Sequence, residues 1–221
     1  MEVSEVLDER REVICFYHLE AGRAWRLAGQ PIASHSHLVY AAFEFRCAIE
    51  RYVIELYLMM DPTAASAPDK FRDFGSLIAL VHQDAGNKTK LWRILTFNAV
   101  YARDVMGLPF EIAEPKLGKF HEMWSRLSDY CHRQLSVDLT WNSSEWVGTG
   151  YAIVLEAEDL LWGVLRTERS GWIQPSSMPI EMQDERLHFI SSDDSADALA
   201  RRLALVKPVV RARLDLQRGG V

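Results

Sequence analysis

The sequence predicts an all-α protein, an antiparallel bundle of about seven helices in a single domain. Three observations carry that prediction. Apolar residues recur with a helical period along most of the chain. Capping residues at one end and Gly or Pro at the other punctuate that pattern. The stretches between the periodic segments are short, and long helices joined by short loops pack as antiparallel neighbours.

The elements follow in order. A first helix runs from about Val3 to Ala28 and ends at Gly29-Gln30-Pro31. Ser34 or Ser36 caps a second helix, which Asp61-Pro62 stops, because the residue before a proline is driven out of helical geometry. Residues 62–68 form a loop. Asp69 caps a third helix to about Ala85, where Gly86 supplies the stop. Asn87 or Thr89 opens a fourth, which runs to Met106 and closes at Gly107 and Pro109. Pro115 is placed as the first residue of a fifth helix reaching about Leu135. Ser143 or Ser144 caps a sixth, from Glu145 to about Thr167.

A short irregular or strand-containing insertion follows near 168–192. It holds Pro175 and Pro179, and Arg186 to Ile190 alternates polar and apolar as a short strand does. Asp194 or Ser195 caps a last helix, 194–218, kinked or broken near Pro208. No composition shift divides residues 1–221; the natural place for a sub-boundary is the irregular segment near 168–192.

Composition narrows the class. The chain has 221 residues, 48% of them hydrophobic and 25% charged, the balance of an ordinary globular protein. Seven tryptophans and nine phenylalanines can fill a sizeable core. Charge interrupts every apolar run well short of the roughly 18–20 residues that span a bilayer, so no membrane partner is expected. The opening MEVSEVLDERRE lacks the pattern of a signal peptide. Cys15, Cys47 and Cys131 are odd in number and far apart, which points to reduced thiols and a cytoplasmic setting. The net charge of −6 disfavours a dedicated nucleic-acid binder. It leaves room for a local basic site, and the C-terminal helix carries Arg201, Arg202, Lys207, Arg211, Arg213 and Arg218 after an acidic stretch from Glu181 to Asp197.

The second helix holds the most telling pattern. On a helical wheel Glu44, Arg51 and Glu55 share a narrow polar face, while Val39, Phe43, Phe45, Ile49, Val53, Ile54, Leu56 and Tyr57 cover most of the rest. Arg46 and Glu50 fall inside that apolar arc. Four residues apart, they are spaced to pair along the helix. An unpaired buried charge costs several kcal/mol, so a buried pair is expected there. His35 and His37 form an HxH before this helix; two ligands do not make a metal site, and no metal or cofactor is expected. No phosphate loop, dinucleotide fingerprint or nucleophile elbow occurs.

The fifth helix carries the residue types of metal-free RNA cleavage. Arg126, Asp129 and His132 are spaced three apart and lie along one side of a helix. Asp129 is placed to raise the basicity of His132. A histidine can take the proton of a ribose 2′-OH while an arginine steadies the charge on the phosphorane. With Arg126-x5-His132 late in a helical bundle, the chain resembles the HEPN superfamily, whose motif is an Arg, four to six residues and a His. The likeness covers the helix pattern of about residues 35–167. Arg11 and His18, with six residues between them, also fall within the motif's range, and Leu127 stands where the family usually carries a polar residue after the arginine.

That resemblance implies a bundle that forms a homodimer with both motifs at the interface. In many members it implies a metal-independent ribonuclease of a toxin, CRISPR or phage-defence system, and in others an inactive binding partner. Two expectations therefore stand. In one, His132 is the general base, Arg126 contacts the scissile phosphate, Asp129 orients His132, and Arg46 and Glu50 support the site; RNA is then the partner. In the other, the chain is a non-catalytic helical interaction or dimerisation module acting on a partner protein.

Overall fold

The computed structural model describes residues 14–61, 73–82, 85–108, 115–132, 144–165 and 178–218. The described residues are overwhelmingly helical and contain no strand. The helices are α1 (Ile14–Gly29), α2 (His35–Met60), α3 (Phe74–His82), α4 (Ala85–Val100), α5 (Leu117–His132), α6 (Ser144–Leu165), α7 (Ile180–Ser191) and α8 (Ala196–Arg218). A short 3-10 turn, Gln30–Ile32, joins α1 to α2, and α4 continues into a π-helical segment, Tyr101–Met106. The all-α bundle expected from the sequence is the observed fold.

Several element ends match their chemical signals. Ser34 caps α2, its hydroxyl receiving the His37 N–H at 3.5 Å and its carbonyl the Leu38 N–H at 3.1 Å. Ser195 caps α8, with the Ala198 N–H donating to its hydroxyl at 3.2 Å. Gly107 ends the π segment with φ of 72°, a left-handed conformation glycine adopts without penalty.

Other ends differ. The third helix is capped by Asp73, whose carboxylate accepts from the N–H groups of Gly75 and Ser76 at 3.2 and 3.1 Å; Asp69 lies outside the described residues. Gly86 does not stop a helix but sits exposed in the first turn of α4, where its N–H needs no helical partner. Pro115 precedes α5 by two residues, and the Lys116 carbonyl takes the first bond, from the Phe120 N–H at 3.0 Å. The expected strand at 186–190 is the C-terminal half of helix α7. The last helix runs on through Pro208. There the residue four back, Ala204, is exposed like Pro208 itself, so the carbonyl that loses its partner faces water while Leu199, Leu203 and Val210 stay buried on the other side.

The chain divides into two compact units. The first comprises Met1–Glu55, Phe71–Ile78 and Lys116–Gly163; the second comprises Leu56–Lys70, Ala79–Pro115 and Val164–Val221, which includes the segment 168–192.

The first unit is built from α1, α2, α5 and α6, with the start of α3. Side-chain contacts set the directions. Cys15 Sγ donates to the Ala48 carbonyl and His18 meets Glu44, so α1 and α2 are antiparallel. Phe120 packs on Tyr52 and Trp124 bonds Glu50, so α5 is antiparallel to α2. Trp146 lies on Tyr130 and Glu156 pairs with Arg126, so α6 is antiparallel to α5. Arg26 meets Glu158 and Arg23 meets Trp162, which brings α6 back alongside α1. Leu19, Phe45, Ile49, Phe120, Leu127, Val154 and Leu161 are fully buried among them.

The second unit packs α4, its π extension, α7 and α8 around Phe97, Tyr101, Met182, Phe189, Leu199 and Leu203. Arg93 donates to the carbonyls of Phe189 and Asp194, at 2.7 and 3.2 Å, and lies on the Phe189 ring, 4.2 Å from its centre. Arg202 ties Asp194, at 2.7 Å, to Glu185. Part of the acidic stretch and part of the basic helix thus neutralise each other inside this unit. Arg186 is buried and donates to the Met59 carbonyl at 3.0 Å in the last turn of α2, where a cation also suits the negative helix end.

Candidate functional site

Of the predicted site residues, Arg126, Asp129 and His132 lie on α5 and Arg46 and Glu50 on α2, all in the first unit. Phe120, Met123, Leu127 and Tyr130 point into the core and set the orientation of the helix. Leu127, the residue after the motif arginine, is therefore a core residue. Arg126 lies on one shoulder, where its Nη1 pairs with Glu156 Oε2 of α6 at 2.8 Å. Asp129 is exposed on the solvent side, and no described residue forms an ion pair with it. His132 is the last residue of α5, and its side chain lies outside the described residues. Arg11 also lies outside them, whereas His18 is described and bonds Glu44.

The opposite shoulder of α5 meets the charged pair of α2. Arg46 Nε donates to Glu50 Oε1 at 3.1 Å, the i to i+4 pairing the sequence suggests. The pair is half-buried, with 20% and 32% of the side chains exposed, where full burial is expected from the apolar arc. Trp124 explains how it is held. The indole N–H donates to the same Glu50 oxygen at 2.7 Å, and the Arg46 guanidinium lies over the indole, 4.9 Å from its centre. Phe74 packs on Trp124 at 4.9 Å between ring centres. One indole thus fixes both charges, and an edge open to water lowers the desolvation cost.

The cysteines around this pair are poor nucleophiles. Burial pushes the Cys47 thiol up to about 11, helped by the carboxylates of Glu50 and Glu44 and opposed by Arg46. Burial raises Cys131 as well, against the charge and hydrogen bond of Arg46. Cys15 is raised well above the usual thiol range by burial and by Glu55. A thiolate is the reactive form, so none of the three is poised for nucleophilic chemistry at neutral pH.

The two histidines of the HxH have separate partners. His35 stacks on Trp146 at 5.1 Å, and His37 Nδ1 lies 2.7 Å from the Ser34 hydroxyl with its ring edge-on to Trp25.

Three features stand outside the sequence expectations. His18 Nδ1 and Glu44 Oε2 are 2.6 Å apart across α1 and α2. Glu158, 6% exposed, accepts from Arg26 at 2.5 Å and faces Arg23 at 3.5 Å. The third is a band of exposed aromatic side chains on α1 and α2: Tyr17, Trp25, Tyr40 and Phe43. Trp25 lies on Tyr40 with 5.0 Å between ring centres, and Tyr17 stands edge-on to His18. The signal in the sequence was the placement of Phe43 at the edge of the apolar arc of α2, next to the polar strip of Glu44 and Arg51.

Comparison with known proteins returns no matching family model, no matching curated protein and no matching solved structure.

Proposed function

We propose that this chain is a helical interaction module that acts through the aromatic face of α1 and α2 rather than through chemistry on α5. One observation carries the reading: Tyr40 and Phe43 leave 53% and 48% of their surface in water, and Tyr40 lies against the exposed Trp25 of α1. Scattered apolar residues on a surface are ordinary, but Trp25 and Tyr40 stack across α1 and α2 while both stay exposed, and joined apolar surface of this kind marks a contact site. Aromatic residues are also the types that dominate the energetics of protein interfaces. The guanidinium of Arg126, in contrast, is engaged by Glu156.

A second reading rests on its own observation. Arg126 and Asp129 are carried on the water-facing sides of α5, and the Arg46–Glu50 pair is braced on Trp124 of that same helix. An HEPN-like homodimeric ribonuclease would use Arg126 at the phosphate and His132 as base, after the Arg126–Glu156 pair opens. The two readings part in one assay. The full chain is incubated with RNA in EDTA, beside Arg126→Ala and His132→Ala at matched circular dichroism. The interaction module leaves the RNA intact in all three. Cleavage by the native chain that both substitutions abolish overturns the module and establishes the nuclease.

A further inference from the structure

The outer face of α2 has the spacing of a helix–helix seam. Tyr40, Phe43, Cys47, Glu50 and Ile54 are separated by three, four, three and four residues, the a and d positions of a heptad. Every one of them retains contact with water, whereas the opposite side of the same helix, through Phe45, Ile49 and Tyr52, is buried in the first unit. A helix of a bundle needs one apolar stripe to reach its own core. This stretch of α2 carries a second in Tyr40, Phe43, Cys47 and Ile54, while Glu50, at the remaining position, is held at the α5 edge by Trp124.

The charges beside the stripe identify what covers it. Glu44 and Arg51 are seven residues apart and flank the seam on the same side. Their midpoint lies between Cys47 and Ala48. A two-fold axis crossing α2 at that midpoint sets two antiparallel copies so that Glu44 of each stands level with Arg51 of the partner subunit. The same operation puts Tyr40 level with Glu55 of the partner subunit, one residue past the partner's Ile54, and Phe43 over the stretch between the partner's Cys47 and the partner's Ile54. A self-complementary patch of this kind is what an isologous dimer requires.

Both charges are prepared for that use. Arg51 is exposed and forms no ion pair among the described residues. His18 holds Oε2 of Glu44 at 2.6 Å, which orients the carboxylate and leaves Oε1 for a second donor. We infer that a second copy of this chain occupies the face, in an antiparallel α2–α2 contact locked by two Glu44–Arg51 pairs. The inference rests on the interaction reading above and adds the partner and the register to it.

Charge exchange in the full-length chain tests it. Sedimentation equilibrium gives the dimer dissociation constant of the native chain and of Phe43→Glu, Arg51→Glu and Glu44→Arg, with circular dichroism as the check on folding. Native protein dimerises, and Phe43→Glu abolishes association over the same concentrations. Arg51→Glu and Glu44→Arg each weaken it about tenfold or more, because two attractions become two repulsions. An equimolar mixture of Arg51→Glu and Glu44→Arg dimerises again, since the mixed pair restores both attractions. A general loss of folding in either variant cannot produce that recovery. A native chain that stays monomeric overturns the second-copy inference, and so does a dimer that Phe43→Glu leaves intact. A dimer sensitive to Phe43→Glu but indifferent to both charge changes overturns the antiparallel register. The interaction reading itself fails by a different result, RNA cleavage dependent on Arg126 and His132.

Discussion

Gly29→Ala is predicted to destabilise the first unit, although alanine is the better helix former. Gly29 ends α1 with φ of −95°, an angle open to any residue, so backbone strain plays no part. What is excluded is the methyl group. A Cβ built there overlaps His37 Cβ and the Tyr151 hydroxyl, and stands 2.9 Å from His37 Cγ. His37 Cβ is fixed to the backbone of α2 and cannot swing away. The Tyr151 hydroxyl is held too, donating to the Ser34 carbonyl at 2.7 Å. Alanine gains at most about 1 kcal/mol in helix propensity. Overpacking costs about 1–3 kcal/mol, and loss of the Tyr151 hydrogen bond about 1 kcal/mol more. The net expectation is a loss of about 1–3 kcal/mol, read as a lower urea midpoint at unchanged slope. Tyr151→Phe removes one of the two obstructing groups, so Gly29→Ala must cost less in that background than in the native chain. A Gly29→Ala variant as stable as the native protein would refute this account of the α1–α2–α6 junction.

Three further outcomes are open to measurement. Glu158→Ala strips Arg26 of its carboxylate and is expected to cost about 3 kcal/mol, the low end for breaking a buried pair because both arginines keep some access to water; a urea midpoint unchanged from native would contradict it. The Ser76 hydroxyl and the N–H groups of Ser76 and Gly75 hold the Asp73 carboxyl below its ordinary range. A depressed carboxylate stabilises above the unfolded value, near pH 4, and loses that contribution as pH falls through its folded value; carbon-detected NMR of Asp73 should therefore show a midpoint below that of an unfolded-chain peptide. Glu50→Gln removes a carboxylate that raises Cys47, so the Cys47 thiol should ionise at lower pH than its native value of about 11; pH-dependent alkylation followed by peptide mapping gives the answer, and an unmoved profile would deny the proximity of the two groups.

Helix ends that rest on one local interaction were legible in the sequence. Ser34, Ser195 and Gly107 act as their residue types suggest, because a hydroxyl cap or a left-handed glycine needs only its own neighbours. The helical period of the core was legible wherever the inward positions are apolar, as in α2 and α5. It failed in α7. There Met182, Arg186 and Phe189 are the buried positions, spaced as a helix requires, but a charged residue stands in the middle of the set. With Arg186 scored as polar, the stretch to Ile190 alternates with the period of a strand. The guanidinium can be buried because the C-terminal carbonyl of a distant segment, Met59, accepts its hydrogen bond, and no local pattern announces that.

The candidate site was legible in part for a similar reason. The Arg46–Glu50 pairing follows from spacing alone, yet its half-burial depends on Trp124, seventy-four residues away in the chain. The position of Arg126 on α5 was readable, but its Glu156 partner was not, since nothing in the register of one helix states which neighbour flanks it. The aromatic band of α1 and α2 was hidden by composition. Phe43 scores as a core residue, its place at the edge of the apolar arc is a weak signal, and the packing of the other helices shows that among the described residues its side chain stays exposed.

The most direct test of the central claim is to place a photo-crosslinking phenylalanine analogue at position 43 of the full chain and map its products by mass spectrometry. The account predicts a covalent dimer whose crosslinks fall on α2 of the second copy, between Cys47 and Ile54. Illumination that yields only monomer, or a dimer joined through any other segment, would contradict it.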